Sequence, residues 1–349
     1  MKNIILLFGL VLLFGTCQAE GKHPRLYISD DNKSNFIKKI ESVEWAKLSY
    51  EGIRSKVDTY VDRHVSDPEW IISRMQMYWD THYERVYVNG NEFSHGTGRA
   101  PVPTVKFAGH RDPATDYAMP SLEDTRPYMD KKGMYLQNMK KEGNPWEWVH
   151  PSKTGRIIGQ MNDRIMGLAA DAAFLYWYTG EEKYATFASD IFMTYIKGMH
   201  YRREPFAIEN YGNSHLMGLA TFEVILDAVI PSLAVSYDFL YSYLKRKNED
   251  FDMIASVLKR FADQEIMYGV PDNNWNIFQA RFVTYLALVL ESNSYYKDGK
   301  GRQYYINEIM NHTTIRQFAL KEAVVDIFDQ ETGVWPESAT YSPLLPSKQ

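Results

Sequence analysis

An all-α fold, with antiparallel helix pairs packed as an α/α toroid or incomplete barrel, is what this sequence predicts. Three observations carry that expectation. Apolar residues recur at helical spacing in successive segments of about twenty residues. Each break between those segments is a turn signal. Almost no strand-period alternation follows Gly155.

The elements follow in order. From Asp30 onward Phe36, Ile37, Ile40, Val43 and Trp45 lie on one face, with Lys38, Lys39 and Glu41 on the other. A second helix is predicted near Tyr50 to Val65. A third opens at Pro68-Glu69-Trp70, where proline's missing N–H is harmless, and continues through Ile71, Met75 and Tyr78. Tyr83 to Pro151 differs: Gly, Pro and Asn punctuate it, and an alternating Val86-Tyr87-Val88 stretch closes at Asn89-Gly90. It reads as a long excursion over one mouth of the core, and excursions of that length are often functional. Helical pattern then returns over Arg156 to Tyr178, closed by Thr179-Gly180, and over Glu182 to His200, an antiparallel pair. Ser214 to Leu244, interrupted by Pro231, comes next, followed by Asp250 to Tyr268 and Trp275 to Ser292. The domain reading is a signal peptide over 1–19 and one α/α toroid domain over 20–349, truncated at its C-terminus.

Lys2 followed by an apolar run from Ile4 to Phe14 reads as an export signal, too short to span a membrane. Cys17-Gln18-Ala19 leaves two routes open, cleavage after small residues or a lipid anchor at Cys17, so the chain is expected in the periplasm, on the outer membrane or outside the cell. A lone cysteine provides no disulfide, and stability must come from the core. The net charge of -5 excludes a broad basic surface and hence nucleic acid as partner. An anionic substrate would have to meet a focused cationic pocket. The 25 Tyr, 17 Phe and 8 Trp suit sugar stacking, although a large helical core uses most such residues for packing.

Chemistry-bearing residues cluster at predicted helix edges. Asn273-Asn274-Trp275-Asn276 stands between Gly269-Val270-Pro271-Asp272 and an apolar helix. Its amides can cap that helix, or hold a carboxylate against the positive end of the helix dipole beside Trp275. Gly333 to Ser342 puts the carboxylate of Glu337 four residues before Tyr341. Asn210-Tyr211-Gly212-Asn213-Ser214-His215 begins another helix, where His215 is either a cap or a cleft residue assisting carboxylate neutralisation or leaving-group protonation. Tyr211 and Asn213 would line the same cleft. Gln160 and Arg164 share a helix face, as substrate contacts or as plain surface. Arg202 and Arg203 beside Glu204 read as a solvated ion-pair site. His95, His110 and His150 show no metal-ligand spacing, and neither a metal nor another cofactor is expected.

These segments resemble the heparinase II/III-like polysaccharide lyases. The likeness also takes in His23-Pro24-Arg25-Leu26-Tyr27, the Leu168 to Tyr184 stretch and Ala234-Val235-Ser236-Tyr237-Asp238. It implies an enzyme that cuts uronic-acid-containing glycans by β-elimination, with an anionic polysaccharide as partner. By that resemblance Asn274 neutralises the substrate carboxylate, Tyr341 is base and acid, and Glu337 orients loop or substrate. Glycosaminoglycans such as heparan sulfate or chondroitin, alginate, ulvan and glucuronan all present the required uronate. Members of this group commonly carry a β-sandwich after the toroid that supplies a further histidine, so either a fragment or a toroid-only member is implied. Two other classes stay open: a glycoside hydrolase using two of Asp171, Asp227, Asp238 and Asp263, or a glycan-binding surface lipoprotein.

Overall fold

The computed structural model describes residues 22–80, 83–88, 91–97, 100–104, 116–150, 153–202, 227–271 and 274–326. The export-signal residues lie outside this set. Helices dominate, as the sequence predicts. Two N-terminal helices, α1 (Lys33–Ser42) and α2 (Glu44–Ser66), precede the one-turn α3 (Glu69–Ile72). After the excursion come α4 (Ile157–Thr179), α5 (Glu182–Tyr201), α6 (Val229–Arg246), α7 (Phe251–Met267), α8 (Trp275–Val289), α9 (Arg302–Asn311) and α10 (Leu320–Asp326).

Local chemistry sets most of these boundaries. Gly180 ends α4 in the left-handed conformation (φ 78°), which a residue without Cβ adopts freely, and the chain turns straight into α5. Asp250 caps α7 by accepting a hydrogen bond from Met253 N at 2.9 Å. Pro231 does not interrupt a helix; it sits in the first turn of α6, where an N–H would have no intrahelical partner.

α4 is the central element, packed on α2, α5 and α6. Gly167, whose missing side chain leaves room beside Ser232, and Phe174 and Trp177, which pack on Phe239, lie where α4 meets α6. Further out, α7 packs on α5 and α8, and α8 on α6 and α9. The core between them is aliphatic and aromatic: Ile165, Phe187, Phe192, Leu240, Leu258, Phe261 and Leu286 are buried.

The third helix is shorter than its apolar spacing predicts. Beyond Ile72 the chain turns into strand β1 (Met77–Tyr78), because tertiary partners take the Gln76 backbone. Its N–H donates to Asn162 Oδ1 at 2.7 Å, and its carbonyl accepts from Thr104 N at 3.0 Å and Thr104 Oγ1 at 2.6 Å. A helix through this point would forfeit those bonds.

The excursion is also more ordered than a loop. β2 (Tyr83–Val88) and β3 (Asn91–Thr97) pair antiparallel across Asn89-Gly90, the hairpin that dipeptide predicts. Strand β4 (Val102–Pro103) pairs with β1, while β5 (Tyr117–Ala118), β6 (Met134–Asn138) and β7 (Trp146–Val149) form a three-stranded antiparallel sheet. β6 alternates strictly: Met134, Leu136 and Asn138 point inward, Tyr135 and Gln137 outward. On the same sheet Lys141, Asn138 and Tyr117 hydrogen-bond Glu147 and hold its carboxyl down to about 2.

Two of the resemblance-bearing segments prove to be one contact. Asp238 Oδ1 lies 2.6 Å from His23 Nδ1, and Asp238 Oδ2 accepts from Arg25 N at 2.7 Å and Leu26 N at 2.8 Å. Arg25 reaches on to the end of α8, donating to both Glu291 oxygens at 2.9 and 2.8 Å and to Leu290 O at 3.0 Å. His23 stacks on Tyr241, ring centroids 4.0 Å apart. The buried carboxylate thus ties the start of the described chain to α6 and, through Arg25, to α8.

Candidate functional site

The start of α8 is built by amides. Gln279, buried one turn in, accepts from Val270 N at 2.7 Å and donates to Arg316 O at 3.3 Å. The Gly269 backbone runs so close that a Cβ there would lie 1.8 Å from Gln279 Nε2, so only glycine leaves that amide in place. Asn276, also buried, donates to Phe318 O at 2.8 Å and accepts from Phe318 N at 3.0 Å. Those two residues lock the first turn of α8 to neighbouring backbone.

Asn274 is positioned by them but used differently. Its backbone is already helical (φ -57°, ψ -17°), and its side chain makes no capping bond to the first turn. A capping side chain needs an extended backbone to reach back to the N–H groups. The cap is therefore formed by its carbonyl, which accepts from Ile277 N and Phe278 N, and the amide is not committed to that role. Trp275, half-buried, follows directly.

Gln160 and Arg164 are exposed on one face of α4, and Arg164 contacts Pro120 O at 3.4 Å. Between them in sequence lies Asp163, whose carboxyl burial pushes up to about 6. Asp163 belongs to a charged cluster that spacing does not reveal. Tyr195 of α5 feels Asp227, Arg202 and Asp163, and burial pushes its phenol well up. Full burial, reinforced by the neighbouring Asp227, raises the carboxyl of Glu265 on α7 well above the usual range. Two facing carboxyls can share a hydrogen bond only if one keeps a proton.

Arg202 corrects the sequence reading: it is buried at the end of α5, not part of a solvated ion pair, and its carbonyl accepts from Arg260. Asp227 is likewise no helix residue; it precedes α6. Tyr211, Asn213 and His215 lie outside the described residues, as do Arg203, Glu204, Glu337 and Tyr341. The only sequence trace of the cluster is the presence of Asp163 and Glu265 on otherwise apolar helix faces.

Raised carboxyls make a signed prediction. The folded state holds protons that the unfolded chain releases, so their contribution is complete below about pH 4 and is lost as pH rises through the folded values. For Asp163 that window ends at about 6, and for Glu265 it extends higher. Glu265→Gln keeps the shape of the side chain without the titration. Urea midpoints between about pH 5 and pH 8 should fall less steeply in this variant, by up to about 1.4 kcal/mol per pH unit; parallel curves would remove Glu265 as proton holder.

No family model matches the chain, and no solved structure matches it. It is similar to an endo-acting ulvan lyase of Formosa agariphila, 22% identical over 356 residues. The match covers 95% of this chain and 34% of that protein, so the chain spans about a third of its relative's length. The similarity reaches a polysaccharide lyase without singling out the heparinase II/III-like group.

Proposed function

We propose that this protein is a polysaccharide lyase of the heparinase II/III-like kind, cleaving a uronic-acid-containing glycan by β-elimination. The observation that carries the reading is the similarity, along nearly the whole chain, to a lyase acting on ulvan. The amide of Asn274 at a helix start, which does not cap that helix, supports it, because the reaction builds negative charge on the uronate carboxylate as the C5 proton leaves. Tyr341 takes that proton, the C4–O4 bond breaks as the C4–C5 double bond forms, and the leaving oxygen is protonated by Tyr341 or His215. Glu337, Trp275, Asn213, Tyr211, Gln160 and Arg164 contact the sugar. Export to the periplasm or cell surface, with or without a lipid on Cys17, suits a polymeric substrate.

The hydrolase reading has less support. Asp171 pairs with Lys56 at 2.7 Å, Asp263 with Lys300 at 3.1 Å, and Asp238 is consumed by the N-terminal contact. Asp227 and Glu265 face each other, whereas a hydrolase needs two carboxyls with a sugar between them. The test is incubation with ulvan, glucuronan, alginate and chondroitin while following ultraviolet absorbance of new double bonds. Unsaturated products are expected from at least one polymer; saturated ends, or binding without cleavage, would refute elimination.

A further inference from the structure

The outward face of the excursion sheet is aromatic and cationic. The register Tyr135↔Trp148 and Gln137↔Trp146 puts three rings on one side of β6 and β7. Tyr135 stacks on Trp146 at 5.5 Å with 18° between planes, and Trp148 tilts against it at 5.2 Å. Arg126 Cζ lies over the Tyr135 ring, 4.0 Å from its centroid, and Lys132 Nζ stands 5.8 Å from the Trp148 centroid. A guanidinium held over a ring keeps N–H donors that can meet a planar acid. Among the described residues no carboxylate forms an ion pair with Arg126.

Arg126, Tyr135 and Trp146 border a cleft of about 370 Å³, within the range of small-ligand sites, walled also by Arg74, Glu123 and Asp124. Mixed charge narrows the ligand. Two carboxylates repel a bare polyanion but accept hydrogen bonds from hydroxyl groups, while Arg126 takes one acid group and the rings take an apolar sugar face.

We propose that this cleft and aromatic face are a second glycan-binding site, taking a uronate-bearing oligosaccharide with its carboxylate on Arg126 and a ring against Trp146. The choice of ligand rests on the lyase reading; the site itself rests on the sheet. It would hold a polymer at a distance along the chain from Asn274 and Tyr341, as a processive or anchoring contact.

The test uses calorimetric titration of the full chain carrying Tyr341→Phe, so that ligand survives, with tetraglucuronate and with cellotetraose, which has the same linkage and no carboxylates. Adding Arg126→Ala should weaken tetraglucuronate binding by about tenfold or more and leave cellotetraose unchanged. Trp146→Ala should weaken both, and Arg126→Lys should fall between, since it keeps charge without the fork. Circular dichroism checks the fold of each variant. Unchanged tetraglucuronate affinity in folded Arg126→Ala and Trp146→Ala overturns the site, even if the wild type makes unsaturated product. Arg126-dependent binding without such product supports the site and removes the lyase reading instead.

Discussion

Tyr341→Phe is expected to cut turnover on a uronate polymer by about 10²- to 10⁴-fold, the usual worth of one positioned proton-transfer group. The phenylalanine keeps the ring, so only the ionisable hydroxyl is lost. In the proposed reaction the Tyr341 phenolate removes the C5 proton, and the phenol so formed can return that proton to O4. Asn274→Ala provides the matching measurement. Its amide meets charge that exists fully only in the transition state, so kcat should fall by about 10²- to 10³-fold with a smaller change in KM. Initial rates of double-bond absorbance give both values. Equal losses in kcat and 1/KM at position 274 would mark a general binding residue, and full activity of Tyr341→Phe would remove the tyrosine from the mechanism.

The largest stability effect is expected from Asp238→Ala. This buried carboxylate accepts from Arg25 N and Leu26 N and faces His23 Nδ1. Its removal strands two backbone donors and an imidazole in a site closed to water, while Arg25 stays tied to Glu291. Breaking a buried charged network from one side costs about 3–5 kcal/mol. Urea denaturation should report a loss of that size, and limited proteolysis should cut near residue 22 before the rest of the chain. Asp238→Asn, which keeps one acceptor oxygen, should lose less. A denaturation midpoint unchanged by Asp238→Ala would mean that the N-terminal segment does not stabilise the helical core.

Much of the helical framework is legible in contiguous residues. Gly180 and Asp250 end and begin helices for reasons contained within a few positions, and Asn89-Gly90 announces its hairpin. The same reading fails at Met75 and Tyr78, where helical spacing is real but Asn162 and Thr104, distant in sequence, take the backbone bonds. Asn274 was legible as a helix-start amide; that its side chain is not the cap depends on a helical backbone conformation set by Asn276 and Gln279. His23 and Asp238 both stand in segments that carry the resemblance, but nothing in their separation of 215 positions says that they touch.

By itself the sequence determined the helical class, the order of the long helices, the hairpin, and the residue types able to support elimination chemistry. Periodicity and turn chemistry act over a few neighbouring residues, so they can be read without knowing what lies opposite. Only the tertiary structure decided that Asp163, Tyr195, Arg202, Asp227 and Glu265 converge, and that Arg126 lies on an aromatic sheet face. Those placements come from how helices and strands far apart in the chain pack, and burial and charge coupling exist only once that packing has formed.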